Sequence, residues 1–312
     1  MTAWATALII RAGVTHTMER LSARYRDRII KMMASAKLDM TVNESNVYQE
    51  ANPAILPFID GMIEEHLLPG SEIRNAAHLA ELFEKAKSGA SCLLLLEHYS
   101  NFDLPVFMYL LRRAVAHGNE IADAVIAIAG MKLNETNPVV SAFTEAYSRI
   151  VIYPSRSLKD IDPQKAHDEF VRSNAINRAA MKALNEVKTQ GKLILVFPAG
   201  TRFRPWAPET KRGVREIDSY IKSFDYMCLV SLNGDILRIQ KGDMEEDLIC
   251  DDSVHIDSSP VLECATFRET AKSAAAGDDD RKQAVVDAIM ARLEEMHQRN
   301  EALHPKNRQD GR

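Results

Sequence analysis

The residues with most to offer chemically stand in one short run, Glu97-His98-Tyr99-Ser100-Asn101-Phe102-Asp103, directly after the apolar stretch Cys92–Leu96. An apolar strand that exits into a His, followed by a polar turn and an Asp at the start of a helix, suits a dyad. Asp103 in the first helical turn can curl back and accept from one imidazole nitrogen. That bond fixes the tautomer, stabilises the imidazolium and leaves the other nitrogen as a base. The same Asp has a purely structural use as a helix N-cap, and a lone His at a strand end is more often a satisfied structural residue than a catalytic one. The neighbouring motifs therefore carry the weight.

A second apolar run, Lys192–Phe197, exits into Pro198-Ala199-Gly200-Thr201-Arg202-Phe203-Arg204-Pro205. Gly200 permits close backbone approach, and Arg202 and Arg204 present guanidinium forks of the kind that bind phosphate bidentately. Surface arginines in water are the plainer reading of such a pair. A third run, Arg149–Tyr153, exits into Pro154-Ser155-Arg156-Ser157. Three strand exits thus offer one base and three guanidinium groups. That set suits a small phosphorylated alcohol: Arg156, Arg202 and Arg204 hold the phosphate, Gly200 and Thr201 support the turn, and His98 takes the hydroxyl proton.

These exits need a scaffold that brings strand ends together. Ser91–Leu96, Ala124–Ala129, Arg149–Tyr153, Lys192–Phe197, Met227–Leu232 and Ile236–Gln240 read as short strands, with helical stretches near 104–117, 138–147, 164–189 and 211–223 between them. The alternation predicts an α/β fold with a mixed, mostly parallel sheet flanked by helices, and ligands of such sheets bind at the strands' carboxyl ends. Residues before about 85 carry almost no strand signal. They read as a smaller N-terminal helical domain over 1–85, followed by the α/β domain over 86–305 and a flexible tail over 306–312. In the first part, Met18, Leu21, Tyr25, Ile29, Met32 and Ala36 recur at helical spacing within a basic stretch: from Arg11 to Lys37 there are seven basic and two acidic residues. That is a bundle helix with a solvated cationic back, or a contact for anionic lipid or an acidic carrier protein. A last amphipathic helix from about 278 to 300 carries the stripe Val285, Ile289, Leu293 and Met296.

Composition narrows the classes further. The chain has 312 residues, 46% hydrophobic and 27% charged, with 39 Lys plus Arg against 44 Asp plus Glu and a formal net charge of −5. A nucleic-acid partner is not expected of that balance. Near-apolar stretches such as Ala3–Ile10 and Cys92–Leu96 fall far short of the roughly 20 residues a spanning helix needs. Four cysteines without CxxC spacing predict a reduced, cytoplasmic protein with no zinc site and no disulfide framework.

With these motifs in view, the sequence resembles the glycerolipid acyltransferases, over roughly residues 90–240. Their His-x4-Asp motif corresponds to His98…Asp103, and their Phe-Pro-Glu-Gly-Thr-Arg motif to Phe197-Pro198-Ala199-Gly200-Thr201-Arg202. The resemblance is nearest to the soluble, plastid-type glycerol-3-phosphate acyltransferases, whose Gly-Gly-Arg-Asp-Arg-Pro motif is similar to Gly200–Pro205. Three departures stand out. Ser155-Arg156-Ser157 replaces a Lys-Lys-His run, Ala199 stands where membrane-bound lysophosphatidate acyltransferases carry Glu, and Cys228 stands where Pro is usual. The resemblance implies acyl transfer from a thioester of acyl carrier protein or coenzyme A to the first hydroxyl of glycerol 3-phosphate, in phospholipid biosynthesis. It implies no cofactor and no metal, and it leaves room for peripheral membrane contact. Lysophosphatidate is the alternative acceptor, weakened by Ala199. A non-catalytic lipid- or carrier-binding relative is a further reading, and so is a hydrolase using Cys92 as nucleophile, although Cys within an apolar strand is usually an inert hydrophobe.

Overall fold

The computed structural model describes residues 18–37, 41–131, 137–154, 157, 166–275 and 280–303. The apolar stretch Ala3–Ile10, Arg156 and the tail 306–312 lie outside the described residues. In chain order the strands are β1 (Glu19–Arg20), β2 (Tyr48–Gln49), β3 (Glu72–Arg74), β4 (Cys92–Leu96), β5 (Val125–Gly130) and β6 (Arg149–Ile152). They continue with β7 (Leu193–Val196), β8 (Tyr226–Asn233), β9 (Leu237–Arg238), β10 (Leu248–Ile249), β11 (His255–Ser258) and β12 (Leu262–Glu263). The helices are α1 (Leu21–Arg24), α2 (Arg26–Ser35), α3 (Leu56–His66), α4 (Ala76–Lys87), α5 (Asp103–Ala114) and α6 (Gly118–Ala124). After them come α7 (Pro138–Thr144), α8 (Ala166–Val187), α9 (Ile217–Ser223), α10 (Cys264–Ala274) and α11 (Arg281–Leu303).

The main sheet runs β2-β6-β5-β7-β4-β8-β11-β3, with β12 also paired to β8. Its five central strands, β6 to β8, are parallel neighbours, while β2, β11 and β12 pair antiparallel with them. This is the mixed, mostly parallel α/β sheet that the alternation of runs predicts. The two-residue side-chain period explains why β4 is apolar at every position. Cys92, Leu94 and Leu96 enter one buried cluster, and Leu93 and Leu95 the other. Helices cover both faces, so no position can be polar. Residues of α1 to α7 pack into the first cluster, and residues of α8, α9 and α11 pack into the second. The stripe Val285, Ile289, Leu293 and Met296 of α11 is buried throughout. Among the described residues no helix is long and apolar enough to cross a membrane.

Three expectations change. The segment before residue 85 does contain strands: β2 pairs with β6, and β3 pairs with β11, so both join the main sheet. Strands of two and three residues are too short to show any periodicity. The first buried cluster also runs across the expected boundary near residue 85, joining Leu21, Ile59 and Leu79 to Leu94 and Val230. The predicted basic helix is split into α1 and α2 at Tyr25, and its Met18 is exposed rather than buried.

The turn after β8 is tightly constrained. Gly234 has φ +88°, and a Cβ there would sit 2.1 Å from the Ser253 carbonyl oxygen. Gly234→Ala combines backbone strain with a backbone clash. It should lower stability by at least about 1–3 kcal/mol, read as a shift in urea midpoint at unchanged slope; a wild-type midpoint would show that the turn adapts freely.

Candidate active site

β4, β7 and β8 are consecutive parallel neighbours in the sheet centre, so their carboxyl ends open on one edge. The chain leaves β4 with Glu97 still in the ladder, its N–H donating to the Val230 carbonyl at 3.1 Å. It then turns through residues 98–102 and enters α5 at Asp103. Asp103 is 2% exposed. One carboxylate oxygen, Oδ2, accepts from His98 Nδ1 at 2.8 Å, from Tyr99 N–H at 2.6 Å and from Ser100 N–H at 2.8 Å. The first turn of α5 adds its positive dipole end. An acceptor-only carboxylate at Nδ1 assigns the proton to that nitrogen, so the neutral imidazole keeps its Nε2 lone pair. Asp103 thus orients the ring and closes the turn at once.

The second exit lies against the first. Phe197, after β7, stacks on the His98 ring with centroids 3.9 Å apart and planes inclined by 18°. Phe203 N–H donates to the His98 carbonyl at 2.8 Å. The arginine turn therefore packs on the backbone of the His that the sequence nominates as base. Gly200, at φ +61°, turns the chain between these contacts. His98, Tyr99, Ala199, Phe203, Lys211 and Met290 are among the residues lining a shallow open depression at this place.

The three arginines fare differently. Arg202 donates from Nη1 to Asp247 Oδ2 at 2.8 Å. Asp247 is fully buried and also accepts from Gln240 N–H at 2.8 Å. Burial pushes its carboxyl above the usual range, while Gln240 and Arg202 pull it back. Arg202 is thereby engaged in pinning the turn to the segment just before β10. Arg204 donates from Nη1 to Thr201 Oγ1 at 3.2 Å, its backbone N–H donates to Thr210 Oγ1 at 2.8 Å, and among the described residues no carboxylate pairs with it. Arg156 lies outside the described residues.

Several groups at the site carried no strong signal in the sequence. Glu97 is buried beside His98, and Tyr99 donates its hydroxyl to Glu97 Oε1 at 2.9 Å. Burial, then the Glu97 charge, pushes the Tyr99 phenol well above its ordinary value, so it remains a proton donor. His297 of α11 bonds Glu97 Oε2 at 2.9 Å. Lys211, on the rim, pairs with Glu294 of the same helix and lies 5.7 Å from the Phe203 ring centroid. An acid between an apolar strand and a His was the one local clue to Glu97. Lys211, Glu294 and His297 had none, because their contacts are made only by the folded chain. Among the described residues no three His, Cys, Asp or Glu side chains group as ligands for a metal ion.

Cys92 does not meet His98. It begins β4 whereas His98 follows its end, about 20 Å along an extended chain at roughly 3.3 Å per residue. It is fully buried, and desolvation pushes its thiol up to about 12. A thiol so placed is inert, which removes the hydrolase reading.

Comparison with known proteins agrees with this geometry. Residues 75–242, more than half of the chain, match the family model described as Acyltransferase, a span that includes both the His98–Asp103 turn and the arginine turn. The chain is 28% identical over 225 residues to the chloroplastic glycerol-3-phosphate acyltransferase of Spinacia oleracea, covering 64% of this chain and 46% of that protein. To the enzyme of the same name from Arabidopsis thaliana it is 26% identical over 158 residues, covering 51% and 31%. The matched regions thus span less than half the length of either curated relative. Among solved structures, a 1-acyl-sn-glycerophosphate (LPA) acyltransferase from Thermotoga maritima superposes with a TM-score of 0.40 at 14% identity, covering 88% of each chain. The His–Asp turn, the arginine turn packed on it and the family match over both agree, and the chain belongs to the Acyltransferase family.

Proposed function

We propose that the protein transfers a fatty acyl group from a thioester of acyl carrier protein or coenzyme A to the first hydroxyl of glycerol 3-phosphate, a step of phospholipid biosynthesis. The observation that carries this reading is the His98 imidazole, held by the buried Asp103 through Nδ1 and stacked on Phe197, in a depression that Pro198, Ala199 and Phe203 around the arginine turn also line. The names of the two curated relatives favour glycerol 3-phosphate as acceptor.

An alcohol is barely ionised at neutral pH, so its proton must leave as its oxygen attacks the thioester carbonyl. His98 Nε2 takes that proton, and Asp103 stabilises the imidazolium that results. When the tetrahedral intermediate collapses, the carbon–sulfur bond breaks and the imidazolium returns its proton to the departing thiolate. The thioester is already activated, so the reaction needs no nucleophile from the protein. Binding energy from the remote phosphate holds the hydroxyl at the base. Arg204, with no carboxylate partner among the described residues, is the fork available to that phosphate; Arg202, ion-paired through Nη1 with Asp247, offers it only its remaining N–H groups, and Arg156 is assigned to the phosphate by the motif resemblance. Gly200 and Thr201 shape the turn beneath them. No metal or other cofactor enters this scheme. Peripheral contact with a membrane or an acidic carrier has support from α2, which exposes Ile30 and Met33 beside Arg26 and Lys31.

The reading is tested by a two-by-two assay that pairs glycerol 3-phosphate or lysophosphatidate with a carrier-protein or coenzyme A thioester. Lysophosphatidate should appear from glycerol 3-phosphate with at least one donor. Phosphatidate formed from lysophosphatidate, with glycerol 3-phosphate inert, would transfer the assignment to the next acylation step, and no product in any arm would leave a non-catalytic binding protein.

A further inference from the structure

The family match ends at residue 242, yet α11 lies along the site. Met290, Glu294 and His297 are spaced to share one side of that helix. Met290 lines the depression, Glu294 holds Lys211, and His297 reaches Glu97. We propose that His297 is a positioning residue for His98, acting through Glu97 and Tyr99, the two residues that bracket the imidazole in the chain. The proposal rests on the reading of His98 as the general base.

The Glu97 side chain is 5% exposed. A carboxylate so deeply placed is tolerated only with donors around it. It has three: Leu232 N–H at 2.9 Å from β8, the Tyr99 hydroxyl at 2.9 Å from its own turn, and His297 Nδ1 at 2.9 Å from a helix 200 residues further along the chain. The Tyr99 oxygen also lies 3.3 Å from the same His297 nitrogen. Tyr99 in turn donates its backbone N–H to Asp103 Oδ2, the oxygen that holds His98. One hydrogen-bonded path therefore runs from His297 through Glu97, Tyr99 and Asp103 to the imidazole, and buried networks of this kind act as units.

His297 is not needed to dock the helix. Val285, Val286, Ile289 and Leu293 are fully buried, and one turn beyond His297 the Asn300 side chain donates to Asn233 Oδ1 and to the His255 carbonyl at 2.9 and 3.0 Å. Those contacts hold α11 in place whatever stands at 297. The imidazole is left with the task of completing the shell of Glu97. Without it, Glu97 must draw on Tyr99 or on water, and either choice shifts the turn that aims His98. A displacement of about 1 Å at a reacting group costs up to about 10²-fold in rate.

The test uses three variants of the full chain. His297→Leu should lower kcat by about 10- to 10²-fold with both Michaelis constants and the melting temperature unchanged, and should move or broaden the Nδ1–H proton resonance of His98. His297→Asn, whose side-chain amide can donate from nearly the same place, should recover most of the turnover. In a Glu97→Gln background, His297→Leu should cause no additional loss. A His297→Leu protein with wild-type kcat and an unmoved His98 resonance overturns the proposal, as do equal losses for Leu and Asn or additive losses with Glu97→Gln. If the Leu variant fails to fold, the Asn variant and the Glu97→Gln protein still read the same coupling. A wild-type protein inert toward glycerol 3-phosphate overturns the acceptor assignment alone, because the His98 resonance reports on His297 without turnover.

Discussion

His98→Ala is expected to lower turnover by about 10²- to 10⁴-fold, the range that a positioned general base contributes. The loss should fall on kcat. The phosphate is assigned to the arginine turn, and equilibrium binding of glycerol 3-phosphate, measured by calorimetry, should stay within a few-fold of wild type. The fold should survive as well. The side chain is only 17% exposed but lines an open depression; its removal gives up one stacking contact with Phe197, worth about 0.5–1.5 kcal/mol, and one hydrogen bond to Asp103, whose Oδ2 keeps the Tyr99 and Ser100 N–H donors. The Phe203 hydrogen bond is to the His98 backbone carbonyl and does not depend on the imidazole. Loss of binding and of melting temperature in parallel with activity would show that the ring is a structural wedge and not the base.

Asp103→Asn separates charge from geometry at the same place. The amide oxygen can still accept from the Tyr99 and Ser100 N–H groups, so the turn into α5 keeps its closure. What disappears is the negative charge 2.8 Å from Nδ1, and with it the stabilisation of the imidazolium formed as the acceptor attacks. Turnover should fall by at least about 10²-fold, with the Michaelis constant for glycerol 3-phosphate little changed. Asp103→Ala should behave differently. It leaves two backbone donors at a buried turn without their acceptor, at a cost of about 1–3 kcal/mol for each group left unsatisfied, so it should lose stability along with activity. If the Asn and Ala variants matched in both respects, Asp103 would be acting as a cap alone.

The parts of this protein that could be read in advance are those set by neighbours in sequence. The all-apolar run of β4 announces a strand covered on both faces, because side chains alternate every residue and both directions lead into core. The His98–Asp103 bond spans five residues, and a strand exit followed by a helix start leaves the two side chains little choice but to meet. The stripe on α11 was legible for the same reason, since helical spacing repeats within the element. The strands β2 and β3 were not legible. They are two and three residues long, and they are strands only because β6 and β11 pair with them.

The fate of the arginines shows the same division. Their spacing is local and could be read, yet Arg202 is committed to Asp247, 45 residues away, and that pairing arises from the placement of β9 and β10 beside the turn. Likewise Glu97 stands next to His98 in the chain, while its partner His297 arrives on a helix with no local mark of its purpose. By itself the amino-acid sequence determined which groups could do chemistry and the secondary structure that presents them, because backbone periodicity and short loops act over a few residues. Which charges are paired, which are not and which distant side chains complete the shell around His98 was decided only by the order of strands in the sheet, which sets the distance between segments that the chain itself keeps far apart.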